Sequence, residues 1–444
     1  MANGEERDSV PQTKIIVLDD DPTGSQTVHS CLLLTRWDVA TLTDALADTA
    51  PLFFVLTNTR GMSAERASAV TREVCRNLKQ ALSGKDIHPI FVSRSDSTLR
   101  GHYPVETDVM AEELGPFDAH FLVPAFFEGG RFTRDSVHYL RSGGKEIPVH
   151  ETEFARDSVF GYRHSYLPDY VQEKTRGRIK AAAVRRFLLA DLRDGVQNPL
   201  RGLTGNTCVV VDAEDQDDLN RFAADLLQAA ASGKRFLFRS AASLLTALAG
   251  LPPQPVPAAA MAQYVRAGKP GAVIVGSHVP KTTSQLHELL KLPVVAPIEV
   301  DVQRLPQDHS VLLADVLKQA AAMHDAGRTP VIFTSRTERA FPDQAARLAF
   351  GEQVSGFLMD VVRGLPKTLG FLISKGGITS NDVLSQGLAL RTARLLGQIL
   401  PGVSVVRCPA EHPRFAHMPV VIFPGNVGDE GALATVCQRL SSVS

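Results

Sequence analysis

The chain has 444 residues, 44% hydrophobic and 21% charged, with a formal net charge of −1. That length allows two or three ordinary domains, the composition excludes a disordered or fibrous chain, and the neutral balance gives no bulk reason to expect nucleic acid or an anionic membrane as partner. Five cysteines (Cys31, Cys75, Cys208, Cys408, Cys437) lack CxxC or metal spacing, and they read as reduced, buried thiols of a cytoplasmic protein. The start, MANGEERDSVPQ, has no apolar signal core, and no apolar run reaches the ~18 residues of a membrane span.

The first predicted element is the apolar run Ile15–Leu18, which ends in Asp19, Asp20 and Asp21 and a Thr23-Gly24 turn. An unbroken apolar run stopped by a turn signal predicts a strand of a parallel sheet, and ligands of such sheets sit beyond the carboxyl ends of the strands. Further strands are expected at 29–35, at 52–56 running into Asn58-Thr59-Arg60-Gly61, at 88–92 running into Arg94-Ser95-Asp96-Ser97-Thr98-Leu99-Arg100, and at 119–123. Between them, Ser63 can cap a helix whose stripe is Ala67, Val70, Val74, Leu78 and Leu82. Strand, polar turn and amphipathic helix in alternation predict a doubly wound α/β domain.

Residues 126–175 break that rhythm with aromatics, glycine pairs and mixed charge, which reads as a functional insertion. The rhythm returns at strand 207–211, helix 216–231 and strand 235–239. LPPQPVPAAA, residues 251–260, puts four prolines in ten residues and predicts a linker. The expected division is an N-terminal domain at 13–245, a Pro-rich linker at 246–268 and a C-terminal α/β domain at 269–441. The second domain should carry strands at 272–275, 330–333, 369–373 and 420–423, and helices at 310–326 and 343–362.

The polar strand ends of the first domain mix carboxylates, hydroxyls and guanidinium groups, which suits a small polyhydroxylated anion. Those of the second are glycine-rich: Gly276-Ser277-His278, Gly376-Gly377-Ile378-Thr379, Pro401-Gly402 and Gly425-Asn426. Backbone amides in such turns can hold an anion, although none has Walker A or GxGxxG spacing. The histidines form no HxxxH or HxH pair, which argues against zinc, and the acidic strand end could help hold Mg²⁺. A competing pattern is Asp19-Asp20-Asp21-Pro22-Thr23, which fits the nucleophile loop of haloacid-dehalogenase-like phosphatases with Asp19 as nucleophile. A further alternative is a metabolite sensor that binds its ligands without turnover.

VLDDDPTG, TNTRG, SDSTLRG and VPAFFEGGR, then IVGSH, KGGITS, PGV and GNVGDE, resemble in sequence and order the four-carbon acid sugar kinase family. The resemblance implies an acid-sugar-binding domain followed by a nucleotide-binding domain. It also implies ATP- and Mg²⁺-dependent phosphorylation of a terminal hydroxyl on a tetronate-like acid such as threonate, erythronate or a 3-oxo relative. On that basis the base is Asp20 or Asp96. Asp21, Arg60, Arg94, Ser95, Ser97 and Arg100 hold the sugar acid, and Ser277, Gly376, Gly377, Ile378, Thr379, Gly402, Gly425 and Asn426 the nucleotide. Ile378 stands where many members have an acid. The implied partners are the sugar acid and ATP, with no nucleic acid or membrane, and the layout leaves room for a homodimer.

Overall fold

A computed structural model of the chain describes residues 12–277, 279–336 and 344–441. Residues 1–11, His278 and Asp343, at the start of an expected helix, lie outside them. In chain order the strands are β1 (Gln12–Asp19), β2 (Leu32–Leu34), β3 (Leu52–Leu56), β4 (Ile87–Arg94), β5 (Ala119–Val123), β6 (Arg131–Arg134), β7 (Val137–Ser142), β8 (Lys145–Pro148) and β9 (Arg185–Phe187). They continue as β10 (Thr207–Val211), β11 (Phe236–Ser240), β12 (Ala272–Val275), β13 (Val295–Val300), β14 (Thr329–Thr334), β15 (Leu372–Lys375), β16 (Thr392–Leu400), β17 (Val403–Arg407) and β18 (Pro419–Phe423). Among the described residues no helix is long and apolar enough to cross a membrane.

The chain forms two compact units. The first takes the N-terminal strand through Leu18, Trp37–Phe53 and Met62–Ala249; the second takes Asp19–Arg36, Phe54–Gly61 and everything from Gly250. The polar ends of β1 and β3 therefore belong to the second unit, although most of the first unit surrounds them in sequence.

In the first unit the strand order is β3-β1-β4-β11-β5-β10-β9, and the pairs β4–β11, β11–β5, β5–β10 and β10–β9 are parallel. Parallel strands covered on both faces must be apolar throughout, which is why 52–56, 119–123 and 207–211 were legible to the residue. The helix Ala64–Leu82 is capped by the Ser63 side chain and buries Ala67, Val70, Val74 and Leu78.

The stretch 126–175 folds into a small antiparallel sheet, β6-β7-β8, followed by short turns and the helix Leu167–Lys174. Its two hairpin turns, Asp135-Ser136 and Gly143-Gly144, all have φ between 53° and 76°. This left-handed geometry matches the twist of paired strands and favours glycine. Strands of four to six residues are too short to show a period.

The second unit has the order β13-β14-β12-β15-β18-β17-β16-β2, parallel from β13 to β18 and antiparallel from there on. Pro401-Gly402, expected as a glycine-rich strand end, is the tip of the β16–β17 hairpin, where the two strands pair antiparallel. β13 was missed because Pro297 and Glu299 break its apolar run; both are exposed and alternate with the buried Ala296, Ile298 and Val300 on an edge strand, where proline is tolerated.

The Pro-rich stretch is bound to the second unit. The Pro252 carbonyl lies 2.7 Å from His29 Nε2. The Gln254 amide donates to the carbonyls of Val256 at 2.9 Å and Gln398 at 3.1 Å, and accepts from Gln398 N at 2.9 Å. Gln254→Ala is expected to lower stability by about 1–3 kcal/mol, since it removes the side-chain bonds to Val256 and Gln398. Urea unfolding measures this, and limited proteolysis should show cleavage appearing at 251–257.

Candidate active site

Three carboxylates leave β1 together. Asp19 is fully buried beneath Gly24, where a Cβ atom would come within 2.1 Å of Asp19 Oδ1, so glycine is required there. Asp21 Oδ1 accepts from Thr23 N at 2.8 Å and Thr23 Oγ1 at 2.5 Å, which closes the Asp-Pro-Thr turn. Asp20, 2% exposed, is gripped by Arg60, with Nη2 to Oδ1 at 2.5 Å and Nε to Oδ2 at 3.1 Å, while Arg60 Nη1 reaches Asp21 Oδ2 at 3.2 Å. The sequence pattern offered Arg60 to a substrate carboxylate. In the structure its fork is spent on two carboxylates of its own chain, because adjacent buried acids need a cation beside them.

The glycine loops of the second unit follow parallel strands in register: Val275, Lys375 and Phe423 are neighbours. Gly376 N donates to Phe423 O at 2.8 Å, and φ of +116° explains the glycine. At Gly276 a Cβ would lie 2.6 Å from Thr379 Oγ1, and at Gly376 one would lie 3.3 Å from Ser277 Cβ, so the two loops touch. Gly377 has open space above it except for Asp21, whose Oδ2 is 3.6 Å from where a Cβ would stand. The Gln26 amide, oriented to donate, bridges Thr23 O at 3.1 Å and Gly402 O at 3.2 Å. The Gly402 Cβ position is 3.1 Å from Val427 Cγ1.

Asp20, Asp21 and Arg60 are thus gathered in one unit with the predicted nucleotide residues Ser277, Gly376, Gly377, Thr379, Gly402, Gly425 and Asn426. Ile378 presents its side chain to solvent, 74% exposed.

Sequence reasoning missed what holds the Pro424–Asp429 loop. Lys375 Nζ donates to Pro424 O and Gly425 O, Lys281 Nζ to Asn426 O and Gly428 O, and Gln285 Nε2 to Val427 O and Asp429 O. Every carbonyl from Pro424 to Asp429 is thus held by one of these three side chains, and among the described residues no amide of Gly425–Asp429 donates to a backbone carbonyl outside helices and strands.

Arg94, Ser95, Asp96, Ser97 and Arg100 lie together in the first unit, at the end of β4. Asp96 accepts from Thr98 Oγ1 and from Arg100 Nε at 2.9 Å. Arg100 also lies 3.6 Å from Asp157 and over the Phe154 ring. The carbonyls here are held as well. Ser97 O accepts from His138 Nε2 at 2.7 Å, Thr98 O from Tyr162 at 2.6 Å, Leu99 O from Tyr170 at 2.8 Å and Arg100 O from Arg239 Nη2 at 2.9 Å.

The insertion supplies three of these four donors and fixes Leu99 at a φ of +68°, a strained position for a leucine. Burial pushes His138 down to about 4, so it acts as a neutral imidazole, with Nδ1 bonded to Thr133 Oγ1. Arg239, 1% exposed, was also missed; an arginine inside the apolar run FLFRS was its signal.

A family model described as a sugar-binding N-terminal domain matches residues 15–248, and one described as a nucleotide-binding C-terminal domain matches 272–433. The chain is 24% identical to a D-erythronate kinase of Heliobacterium modesticaldum, over 96% of its own length and 97% of the relative's. It is 29% identical to a D-threonate kinase of Bordetella bronchiseptica over 47% of its length and 48% of the relative's. Among solved structures, Haemophilus influenzae HI1011 covers 96% of the chain (100% of its own) with a TM-score of 0.64 at 18% identity. A Salmonella typhimurium LT2 protein covers 95% (98% of its own) with a TM-score of 0.68 at 19% identity. The two structures show a shared fold. The chain belongs to the four-carbon acid sugar kinase family.

The Arg60 pairing makes a stability prediction. Arg60→Ala should cost about 3 kcal/mol, because Asp20 is left charged and buried, and adding Asp20→Asn should recover most of it. Denaturant unfolding of both single variants and the double variant gives the coupling. Additive losses would mean that the pair is not the support it looks to be.

Proposed function

We propose that the protein is an ATP-dependent kinase that transfers a phosphoryl group to a hydroxyl of a four-carbon sugar acid. The observation that carries this reading is Asp21 facing Gly377, an acidic strand end laid against a glycine turn with open space above it. Glycine amides and a carboxylate side by side are incompatible with one bare anion, but suit a metal–polyphosphate. The names of the two kinase relatives support the substrate class. Asp21, partly exposed beside the turn, fits Mg²⁺, which takes one or two carboxylates and completes its shell with phosphate and water. Bound there, the ion would neutralise charge on the transferred phosphoryl group.

In this reading the open glycine at 377 admits phosphate oxygens close to the backbone, and Ser277, Thr379 and Gly402 line the nucleotide. The Asp20–Arg60 pair keeps Asp21 aimed at the turn. Arg94, Ser95, Ser97 and Arg100 bind the sugar acid. Asp96, at the end of β4 among the residues assigned to the sugar acid, is the base in this reading. Phosphoryl transfer needs little beyond alignment, charge neutralisation and that base. A phosphatase using Asp19 is disfavoured: a nucleophile must be reached by phosphate, and Asp19 lies fully buried beneath Gly24.

ADP release should depend on added sugar acid when threonate, erythronate and their 3-oxo relatives are screened with MgATP. Hydrolysis of phosphate monoesters without nucleotide would overturn the kinase reading. Asp96→Asn, which keeps an oxygen for Thr98 and Arg100, should lower kcat by about 10²–10⁴, well beyond any rise in KM for the sugar acid. Gly377→Val should abolish MgATP binding by calorimetry and leave sugar-acid binding intact.

A further inference from the structure

Lys375, the last residue of β15, is fully buried, yet among the described residues it has no carboxylate within ion-pair distance. Its Nζ donates to Pro424 O at 2.5 Å and Gly425 O at 3.1 Å and lies 4.2 Å from the Phe423 ring centroid. A buried ammonium held only by carbonyls and a ring lacks a counter-ion, which is costly in a low-dielectric site.

The charged group that acts on it is another cation, Lys281 on the helix Pro280–Leu290. β18 and β12 bring apolar neighbours, Phe423 and Val275. Asp429, on the loop Lys375 holds, sits beside Gly431, and Asp21 lies across Gly377. Burial and Lys281 together push Lys375 down to about 7. The residues that follow it are the Gly376–Gly377 turn.

We propose that Lys375 is the positioning residue of the nucleotide site: it fixes the Pro424–Gly425 end of the loop, and the polyphosphate bound at the adjacent turn is the counter-ion it lacks, so that nucleotide binding draws a proton onto Nζ. This rests on the assignment of nucleotide to that turn. In the free protein Lys375 is largely neutral at pH 8, a bound polyanion favours the charged form, and binding takes up a proton. Affinity therefore falls as pH rises above 7, by up to about tenfold per pH unit until the proton is lost from the complex as well.

The test is calorimetric titration of the full chain with MgADP at pH 8.0 in buffers of different ionisation enthalpy. The slope of heat against that enthalpy counts protons. Wild type should take up between about 0.5 and 1 proton per nucleotide. Lys375→Met should bind more weakly with no uptake, and Lys375→Arg, charged at every pH, should bind with no uptake. Undiminished uptake in either folded variant would overturn the proposal. If neither variant folds, the wild-type series from pH 6 to 9 decides: no uptake anywhere overturns it while leaving the nucleotide assignment standing. A wild type that binds no MgADP overturns that assignment and the inference with it.

Discussion

Two carboxylates side by side at the end of a buried strand cannot both stay charged without a cation between them, and in this protein the cation is Arg60. Its guanidinium meets Asp20 with two bonds and Asp21 with one. The pairing ties the end of β3 to the end of β1, reinforced by the amides of Thr57 and Asn58 on the Asp19 carbonyl. Remove the pairing and Asp21 loses the support that turns it toward Gly377. Gly24 serves the same end by leaving room for the Asp19 carboxylate. The acid-rich strand end is thus less a cluster of reactive groups than a scaffold that presents one carboxylate.

The two loops proposed to bind ligand share a construction. In each, successive backbone carbonyls are captured by side chains from elements packed behind: Lys281, Gln285 and Lys375 for Pro424–Asp429, and His138, Tyr162, Tyr170 and Arg239 for Ser97–Arg100. A loop held by its carbonyls is rigid without spending its own side chains. Pre-organised loops of this kind lower the ordering cost of binding and keep reacting groups aligned.

Much of the fold was legible because strands buried on both faces read as near-continuous apolar runs; 52–56, 119–123, 207–211 and 272–275 fall where the runs lie. β13 and β16 were not, since an edge strand with Pro297 and a strand carrying Arg394 and Gln398 lack a clean pattern. The motif loops could be found in the sequence, but not their wiring. Nothing local says that Arg60 answers Asp20 forty residues away. Nothing local says that Tyr162 and Tyr170 answer carbonyls near residue 99. Such partners are set by tertiary packing, and the usable hints were long cationic side chains at the polar ends of otherwise apolar strands: Arg239 in FLFRS and Lys375 in LISK.

The way the insertion grips Ser97–Arg100 has an evolutionary side. A backbone carbonyl is the same acceptor whatever residue carries it, so His138, Tyr162, Tyr170 and Arg239 hold a contour rather than a sequence. Ser97, Thr98 and Arg100 can be exchanged without dismantling the clasp, whereas Leu99, buried with its backbone left-handed, cannot. On the proposed reading of this loop, ligand preference and loop architecture are uncoupled: the side chains of Ser97 and Arg100 meet the acid while the insertion holds the contour, and a laboratory seeking to redirect the protein would randomise those two positions and leave the insertion untouched.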